Sequence, residues 1–332
     1  MPDSPPVSFL LGLRFRAEDL LLRALAWGIP QLSLGIVRAG AVMLGTVAWV
    51  VDYRGRRAGM ENLRAVFARE GMTPGRRSSI LRQSYRLFAR TWCELFWGCR
   101  LSEENWDQHF VLECDTAAAA AAFAEDHCLY ATAHFGNFEW LSLGRALKGG
   151  KSMIIAQNFK NPPLTALFRE LRACGGRQVI VPQEGAMLRL FKHLRRGGSA
   201  AALVDLNVRP DQAAAVIECF GLSTSVSILH CALAARTGVP VVPVLALPDP
   251  DGRWRLRFFD PLHVAPNESL AAAAQRCWDV FEPVFRARPE CWLWMYKHWR
   301  YLPEGADPAW YPAYANRSKK FDRLAAAVAA GR

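Results

Sequence analysis

The sequence lacks the short motifs that mark nucleotide-dependent enzymes and serine hydrolases. Neither Gly-x-Gly-x-x-Gly nor Gly-x-x-x-x-Gly-Lys-Ser/Thr occurs, which leaves dinucleotide and nucleoside triphosphate chemistry without support. The stretch Gly197-Gly198-Ser199-Ala200-Ala201 fails the Gly-x-Ser-x-Gly pattern at its last position. A serine nucleophile on a strand-to-helix elbow is therefore not indicated.

The cysteines form no recognisable framework either. There are nine, an odd number, and no two are spaced as Cys-x-x-Cys. Neither a disulfide scaffold nor a zinc or iron–sulfur site is expected, and this usage is typical of reduced thiols in a protein that faces the cytosol. Cys128, Cys219 and Cys231 lie in apolar segments and are predicted to be structural thiols rather than nucleophiles. No metal ligands are predicted.

Negative charge is in short supply. The chain of 332 residues has 41 Lys and Arg against 30 Asp and Glu, a formal net charge of +11. Such an excess favours an anionic partner, and a phospholipid surface, an acidic glycolipid or a nucleic acid would each satisfy it. Because 52% of the residues are hydrophobic, the chain can bury a full core, which excludes a disordered tail and a disulfide-stapled mini-domain.

Long hydrophobic runs are few, and the longest lie near the N-terminus. Between Arg23 and Asp52, two uncharged runs of 14 and 13 residues flank Arg38. Each run is shorter than the roughly 20 residues of a membrane-spanning helix. We expect this segment to be embedded in a membrane, with or without spanning it, and a buried hairpin of core helices is the alternative. A secretory signal peptide fits poorly, because Pro30 and Arg38 interrupt the apolar stretch.

Most of the excess positive charge follows directly after this segment. Residues 54–100 contain eleven Arg against three Glu, a local net charge of +8. Apolar residues at helical spacing predict two amphipathic helices here, the second starting at Thr73 and Pro74. A basic block beside an apolar anchor is typical of proteins drawn to the anionic cytoplasmic leaflet, although a solvated helix face gives the same pattern. RNA binding has only the net charge in its favour.

From residue 110 onward, short apolar runs alternate with helical segments. Strands are predicted at 128–133, 152–156, 178–182, 199–205, 239–247 and 253–260. Helices are predicted at 116–125, 138–148, 162–174, 184–196, 224–237 and 268–287. The alternation indicates an α/β fold with a mixed, largely parallel sheet flanked by helices, preceded by an apolar and amphipathic helical membrane-binding region. We divide the chain into a membrane-associated segment (1–57), a main α/β domain (58–305) and a C-terminal tail (306–332).

One constellation carries chemistry, at the end of the strand predicted at 128–133, where α/β folds place their sites. His134 and Glu139 are five residues apart and would face different sides of one helix, but Gly136-Asn137 supplies a turn between them. A carboxylate bound to one ring nitrogen would fix the histidine tautomer and make the other nitrogen a general base. Backbone N–H groups near Gly136 would then face an oxyanion. A polar pair without a catalytic role is the alternative.

The string HFGNFE at 134–139 resembles the His-x4-Asp/Glu block of the lysophospholipid acyltransferase superfamily. In this form it is most similar to the late (lauroyl/myristoyl) acyltransferases of lipid A biosynthesis. Other segments resemble further blocks of that family in the family's order: GMENLRAVFA (59–68), NFKNPPLTALFRELRACGG (158–176), ALVDLNV (202–208), ECFGLSTSVSILHCALAARTGVPVVPV (218–244) and WLWMYKHWRYLPEG (292–305). The resemblance therefore covers most of the chain.

The resemblance implies roles for individual residues. His134 matches the general base and Glu139 its orienting partner. The candidate substrate-binding residues are Gly136, Asn137, Arg172 and Asp205. Gln157 and Leu206 depart from the family pattern, which more often has Arg and Gln at these positions. The family transfers a fatty acyl chain directly from a thioester to a hydroxyl, without a covalent acyl-enzyme, and no cofactor is expected.

The function expected from this resemblance is acyl transfer at the cytoplasmic face of the inner membrane. The donor would be a thioester of acyl carrier protein or of coenzyme A. The acceptor would be a glycolipid such as a lipid A precursor, or a lysolipid, and no nucleic acid partner is expected. Transfer to another lipid or to an amine is an alternative, and so is a non-catalytic lipid-binding protein of the same fold. His298 is a further candidate for contact with a headgroup, whereas His230 is expected to be a packed helix residue.

Overall fold

The computed structural model describes residues 9–156, 159–173, 179–182 and 185–330. Its α-helices are α1 (Phe9–Gly28), α2 (Leu34–Val51), α3 (Tyr53–Phe67), α4 (Pro74–Trp97), α5 (Trp106–His109), α6 (Ala117–Glu125), α7 (Phe138–Leu147), α8 (Pro162–Arg172), α9 (Ala186–Leu194), α10 (Leu229–Thr237), α11 (Leu270–Ala287) and α12 (Lys319–Ala329). Its strands are β1 (Phe110–Cys114), β2 (Leu129–Thr132), β3 (Ser152–Ala156), β4 (Val179–Pro182), β5 (Ser199–Leu203), β6 (Ala214–Cys219), β7 (Leu222–Ser227), β8 (Val241–Pro248), β9 (Trp254–Phe258), β10 (Tyr301–Leu302) and β11 (Asn316–Arg317).

The apolar N-terminal segment forms two helices, α1 and α2. Of the described helices, α2 is the one that is long and apolar enough to cross a membrane, and 17% of it is buried by the rest of the chain. Large apolar side chains on α1 and α2 are exposed to solvent: Leu11, Leu13, Leu20, Leu21, Leu25, Trp27, Ile36, Val42, Met43, Leu44, Val47, Val50 and Val51. An exposed apolar surface of this extent fits a membrane-binding region rather than a buried hairpin of core helices.

A stripe of small residues places α2 directly against α4. Val37, Ala41 and Gly45 recur every four residues and are buried. A Cβ atom at Gly45 would lie 2.5 Å from the backbone of Arg86, so only glycine permits the two helices to approach this closely. Arg38 lies beside the stripe, and its side chain donates to Glu94 of α4. The arginine that interrupts the apolar sequence therefore forms an ion pair between the two helices.

The two predicted amphipathic helices are α3 and α4. Thr73 accepts a hydrogen bond from the backbone of Arg76 and caps α4, with Pro74 in the first turn, as the sequence predicts. The predicted apolar stripes are mostly buried, including Leu63 on α3 and Leu95 on α4, both fully inaccessible. The arginines lie mainly on the opposite, more exposed faces.

Seven strands form one mixed sheet in the order β1-β9-β8-β2-β5-β3-β4. Every neighbouring pair is parallel except β8 and β9, which run antiparallel. The predicted fold class is confirmed. Because β2 and β5 are parallel neighbours, their carboxyl ends meet at the same edge of the sheet. Successive side chains of β2 face opposite cores: Tyr130 faces α4, α7 and α8, whereas Ala131 faces the core that holds α10 and α11.

One predicted helix is partly wrong. Residues 224–237 were expected to be helical throughout, but the helix begins at Leu229 and the preceding residues form β7. β7 pairs antiparallel with β6 across a two-residue turn of Phe220 and Gly221, both with positive φ. Leu222 and Thr224 are buried on one face of β7, the alternation of a strand. The domain boundaries at 57 and 305 stay predictions.

A buried carboxylate connects four parts of this fold. Glu94 on α4 has a side chain with no exposure, and it accepts four hydrogen bonds. Arg38 of α2 and Arg90 of α4 donate to Oε1 at 2.7 and 2.8 Å. Asn137, directly before α7, and Trp254 of β9 donate to Oε2 at 2.6 and 2.7 Å. Helix α2, the sheet and the turn before α7 are therefore held by one side chain.

Replacing Glu94 by Ala is expected to destabilise the protein strongly. The change leaves two arginines and two further donors without their shared acceptor, and loss of one partner of a buried ion pair costs about 3–5 kcal/mol. Thermal or chemical unfolding in detergent measures the difference. Glu125→Ala, at an exposed position at the end of α6, is the control and should change stability little. Equal stability of the two variants would contradict the central role of Glu94.

Candidate active site

The site lies where β2 and β5 end side by side. One residue separates the end of β2 from His134, and one residue separates the end of β5 from Asp205. The two residues are 71 positions apart in the chain, and the parallel pairing of their strands brings them together. This edge is where open α/β sheets bind their ligands.

Asp205 holds His134 through both the backbone and the ring. Oδ2 of Asp205 accepts the backbone N–H of His134 at 3.0 Å, and Oδ1 lies 2.9 Å from Nδ1 of the ring. The indole of Trp292 donates to Oδ2 at 2.9 Å. Burial alone would raise the pKa of the Asp205 carboxyl, but the His134 ring and the hydrogen bonds lower it below its ordinary value. Asp205 is therefore an ionised acceptor.

This contact fixes the tautomer of His134. An ionised carboxylate can only accept, so Nδ1 carries a proton and donates it to Asp205. Whenever the ring is neutral, Nε2 is therefore the unprotonated nitrogen, and it has no hydrogen-bond partner among the residues that the structure describes. The His134 side chain is 14% exposed and lines a cavity. Such a nitrogen can accept a proton from a hydroxyl group.

The expected partnership between His134 and Glu139 is corrected. Glu139 is instead bound by Arg172 of α8, whose Nε and Nη2 donate to its two oxygens at 2.9 and 2.7 Å. Two parallel hydrogen bonds of this kind are strong and directional. The sequence predicted a turn that would bring Glu139 back to the ring, but Glu139 lies in the first turn of α7, while Asp205 occupies the position beside Nδ1. Arg172 keeps Nη1 free of any hydrogen bond to described residues.

The expected substrate contacts of Gly136 and Asn137 are also corrected. The N–H of Gly136 donates to the carbonyl of Cys291 at 2.9 Å, so it does not face an oxyanion. Gly136 has a φ of +56°, and a Cβ atom there would lie 1.7 Å from the carbonyl oxygen of Ala246, so this turn requires glycine. Asn137 is fully buried, where it caps α7 by accepting the N–H of Trp140 at 2.9 Å. Both residues shape the turn after His134.

The cavity beside His134 has a volume of about 700 Å³. It lies between one face of the sheet and helices α4, α7 and α8. Most of its wall is apolar or aromatic: Phe88, Trp92, Phe138, Leu141, Ile154, Phe159, Val244 and Phe258. Its ionisable members include His134, Glu139 and Arg172, so a reactive group and an apolar space share one cavity. The combination suits a ligand with a long apolar chain and a polar reacting end.

The two departures from the family pattern have different outcomes. Leu206 lines the cavity directly beyond Asp205, where an apolar side chain extends the apolar wall. Gln157 lies outside the described residues.

Five cysteines in the described part of the chain are buried and are not activated as nucleophiles. Burial raises the pKa of Cys128, Cys231 and Cys291 to about 12. It also raises the pKa of Cys219 and Cys277. A thiol with a raised pKa is a poor source of thiolate. The predicted structural role of Cys128, Cys219 and Cys231 therefore agrees with their burial.

Two other histidines are buried near the site in neutral form. His298 stacks on Trp292 with ring centroids 4.0 Å apart and is 2% exposed, which rules out the contact with a headgroup that its sequence context suggested. His230 is 2% exposed on α10, as expected for a packed residue. Burial lowers the pKa of each to about 4. Trp292, the second partner of Asp205, was not predicted, and its place in an aromatic cluster was the only signal in the sequence.

The lowered pKa values of His230 and His298 predict that the free energy of unfolding falls in mild acid. Each has a folded-state pKa near 4 against about 6.5 in the unfolded chain, so between these values the unfolded state binds more protons. At pH 5 each histidine should remove about 2 kcal/mol of the stability present at pH 7. Chemical unfolding at both pH values measures the loss. His230→Gln should reduce the loss by about half, whereas His263→Gln, at an exposed position, should leave it unchanged.

Comparison with known proteins identifies the family of the chain. A model of the bacterial lipid A biosynthesis acyltransferase family matches residues 16–301, which is most of the chain. No curated protein matches the sequence closely enough to count as a relative. The matched range includes α2, the whole seven-stranded sheet, His134, Asp205 and the Glu139–Arg172 pair. The chain is therefore an acyltransferase that belongs to the bacterial lipid A biosynthesis acyltransferase family.

Proposed function

We propose that the protein transfers a fatty acyl chain from a carrier thioester to a hydroxyl of a glycolipid resembling a lipid A precursor. The reaction would take place at the cytoplasmic face of the inner membrane. The observation that carries the proposal is the position of His134, whose Nδ1 is held by a buried carboxylate while Nε2 faces an apolar cavity. The family match supports acyl transfer in general, and the site supports a hydroxyl as the group that attacks.

In the proposed step, Nε2 of His134 takes the proton of the acceptor hydroxyl as its oxygen attacks the thioester carbonyl carbon. The carbon–sulfur bond then breaks, and the imidazolium returns its proton to the departing thiolate. Asp205 stabilises the imidazolium and holds the ring in place. Because the acceptor attacks the donor directly, no residue carries the acyl group between two half-reactions, and both substrates are bound together.

Arg172 is the proposed stabiliser of the carbonyl oxygen. Charge develops on that oxygen during attack, and a fixed donor aimed at it lowers the barrier. Glu139 engages two donors of the Arg172 guanidinium and so fixes its orientation, and Nη1 makes no hydrogen bond to any described residue. In this proposal Glu139 is a positioning residue for Arg172 rather than for His134. This assignment replaces the N–H of Gly136, which is already used by Cys291.

Two further features support the substrates and the location. The apolar wall formed by residues such as Phe88, Trp92 and Phe258 suits the acyl chain of the donor. The exposed apolar faces of α1 and α2 would lie in the membrane, with the arginines of α3 and α4 at the anionic surface. An acyl carrier protein or coenzyme A would deliver the donor from the cytoplasmic side. A lipid acceptor would then reach the cavity without leaving the bilayer.

The experiment is a reconstituted acyl-transfer assay with purified full-length protein, a long-chain acyl carrier protein thioester and a lipid A precursor, analysed by mass spectrometry. The expected product is the acceptor plus one acyl chain. His134→Ala should lower the rate by about 10² to 10⁴, the contribution of a general base. Asp205→Asn should lower it by a comparable factor, because an amide does not stabilise the imidazolium. Glu139→Gln should have a smaller effect, because an amide oxygen still accepts from Arg172.

Controls separate catalysis from folding. Each variant is compared with wild type in thermal unfolding, and His263→Gln, at an exposed position, is the matched histidine control. A His134→Ala variant that folds and retains more than about a tenth of the wild-type rate would contradict the general-base role. An Asp205→Asn variant with full activity, beside an inactive Glu139→Gln variant, would restore Glu139 as the partner of His134. Wild-type protein that adds no acyl chain to this acceptor would contradict the proposed acceptor.

A further inference from the structure

A second cavity lies apart from the reaction site, at the start of α3. Its volume is about 470 Å³. Five lining residues come from the first turns of α3: Tyr53, Arg54, Arg57, Ala58 and Glu61. The other three come from the C-terminal part of the chain: Lys297, Ala313 and Tyr314. The family match ends at residue 301, so part of this wall lies beyond it.

The cavity has free positive charge. Arg54, Arg57 and Lys297 form no ion pair with any residue in the described part of the chain. The one acidic residue of the lining, Glu61, is already occupied, because its Oε2 accepts from Arg64 at 3.1 Å and from the backbone N–H of Ala313 at 2.9 Å. The lining therefore carries three cations against a single carboxylate, which is already paired with Arg64. Arginine and lysine side chains placed in this way suit a phosphate group.

The cavity lies directly after the apolar helix α2 in the chain. α3 begins two residues after α2 ends, and α2 is the apolar helix with the exposed face. Arg54 and Arg57 follow the last residue of α2 by three and six positions, so with α2 in the membrane they would lie near the level where lipid headgroups meet water. A group bound here would belong to a lipid whose chains lie beside α2.

The cavity is also close to the reaction site along the chain. Leu293 lines the reaction cavity, and its N–H donates to the carbonyl of His134 at 3.1 Å. Lys297 lines the second cavity four residues later. Four residues span at most about 14 Å, so Leu293 of the reaction cavity and Lys297 of the second cavity lie within that distance of each other.

We propose that the second cavity binds a phosphate group on the headgroup of the acceptor lipid and so positions its hydroxyl at His134. The inference rests on the proposed function, because it concerns the acceptor of the same reaction. Phosphate on a neighbouring membrane phospholipid has the same chemistry, and the test distinguishes the two sources.

The test compares two double variants of the full-length protein. Arg54→Gln with Arg57→Gln removes two charges from the cavity. Arg76→Gln with Arg82→Gln removes two charges from exposed positions of the same basic region that do not line it. Initial rates are measured with a phosphorylated lipid A precursor and with the same lipid after phosphatase treatment. The cavity variant should raise KM for the phosphorylated acceptor about tenfold or more, with kcat within about twofold, because it loses two charge-assisted contacts made in the bound state.

The remaining comparisons decide the source of the phosphate. The control variant should keep the wild-type KM, and the phosphatase-treated acceptor should not distinguish the cavity variant from wild type. Binding to phosphatidylglycerol and phosphatidylcholine vesicles is measured in parallel. Weaker binding of the cavity variant to phosphatidylglycerol vesicles, with an unchanged KM for the acceptor, would overturn the assignment to the acceptor.

Equal behaviour of the two double variants in both assays would overturn the phosphate site altogether. A wild-type protein without acyl transfer would instead contradict the proposed function. In that case the vesicle comparison still reads out whether the cavity binds lipid phosphate, so the two failures are distinguishable.

Discussion

The structure depends on a single carboxylate that is buried without any exposed surface. Glu94 is surrounded by four donors from α2, α4, the turn before α7 and β9, and removing any one of these elements leaves a charge or a donor unsatisfied. Together the four donors offset the cost of burying Glu94. This shared acceptor couples the docking of the apolar helix α2 to the conformation of the turn that follows His134.

The hydrogen bonds of Glu94 also fix the conformation of the turn at the active site. Asn137 donates to Glu94 with its side-chain nitrogen and caps α7 with its oxygen, so the turn is fixed from within the core. At the start of the same turn, Asp205 holds the His134 ring, and Trp292 in turn donates to Asp205. The Glu139–Arg172 pair is a separate unit built on α7 and α8. Asp205 therefore orients the proposed base, His134, whereas Glu139 orients the proposed oxyanion donor, Arg172.

Helices, strands and caps that depend on local sequence patterns were mostly predicted, whereas contacts that depend on the order of the strands in the sheet were missed. Six of the seven strands of the sheet follow from short apolar runs, and the cap at Thr73 follows from residue type, so these are confirmed, whereas β1 was not predicted. The 224–237 helix was too long because the polar, alternating strand β7 runs directly into α10 without a glycine or proline between them. The pairing of His134 with Asp205 requires β2 and β5 to be neighbours, which no local spacing reveals. Arg38 resembled an interruption of a membrane helix because its partner Glu94 is 56 residues away.

The most direct test of this account is the protonation state of the His134 ring in the full-length protein. In ¹⁵N-histidine-labelled protein in detergent at pH 7, comparison with His134→Gln assigns the two ring nitrogens by NMR. The account predicts a neutral ring protonated on Nδ1, with Nε2 at the chemical shift of an unprotonated nitrogen, and a loss of that preference in Asp205→Asn. A ring protonated on Nε2 in the wild-type protein would contradict it, because that nitrogen could not accept a proton from the acceptor hydroxyl.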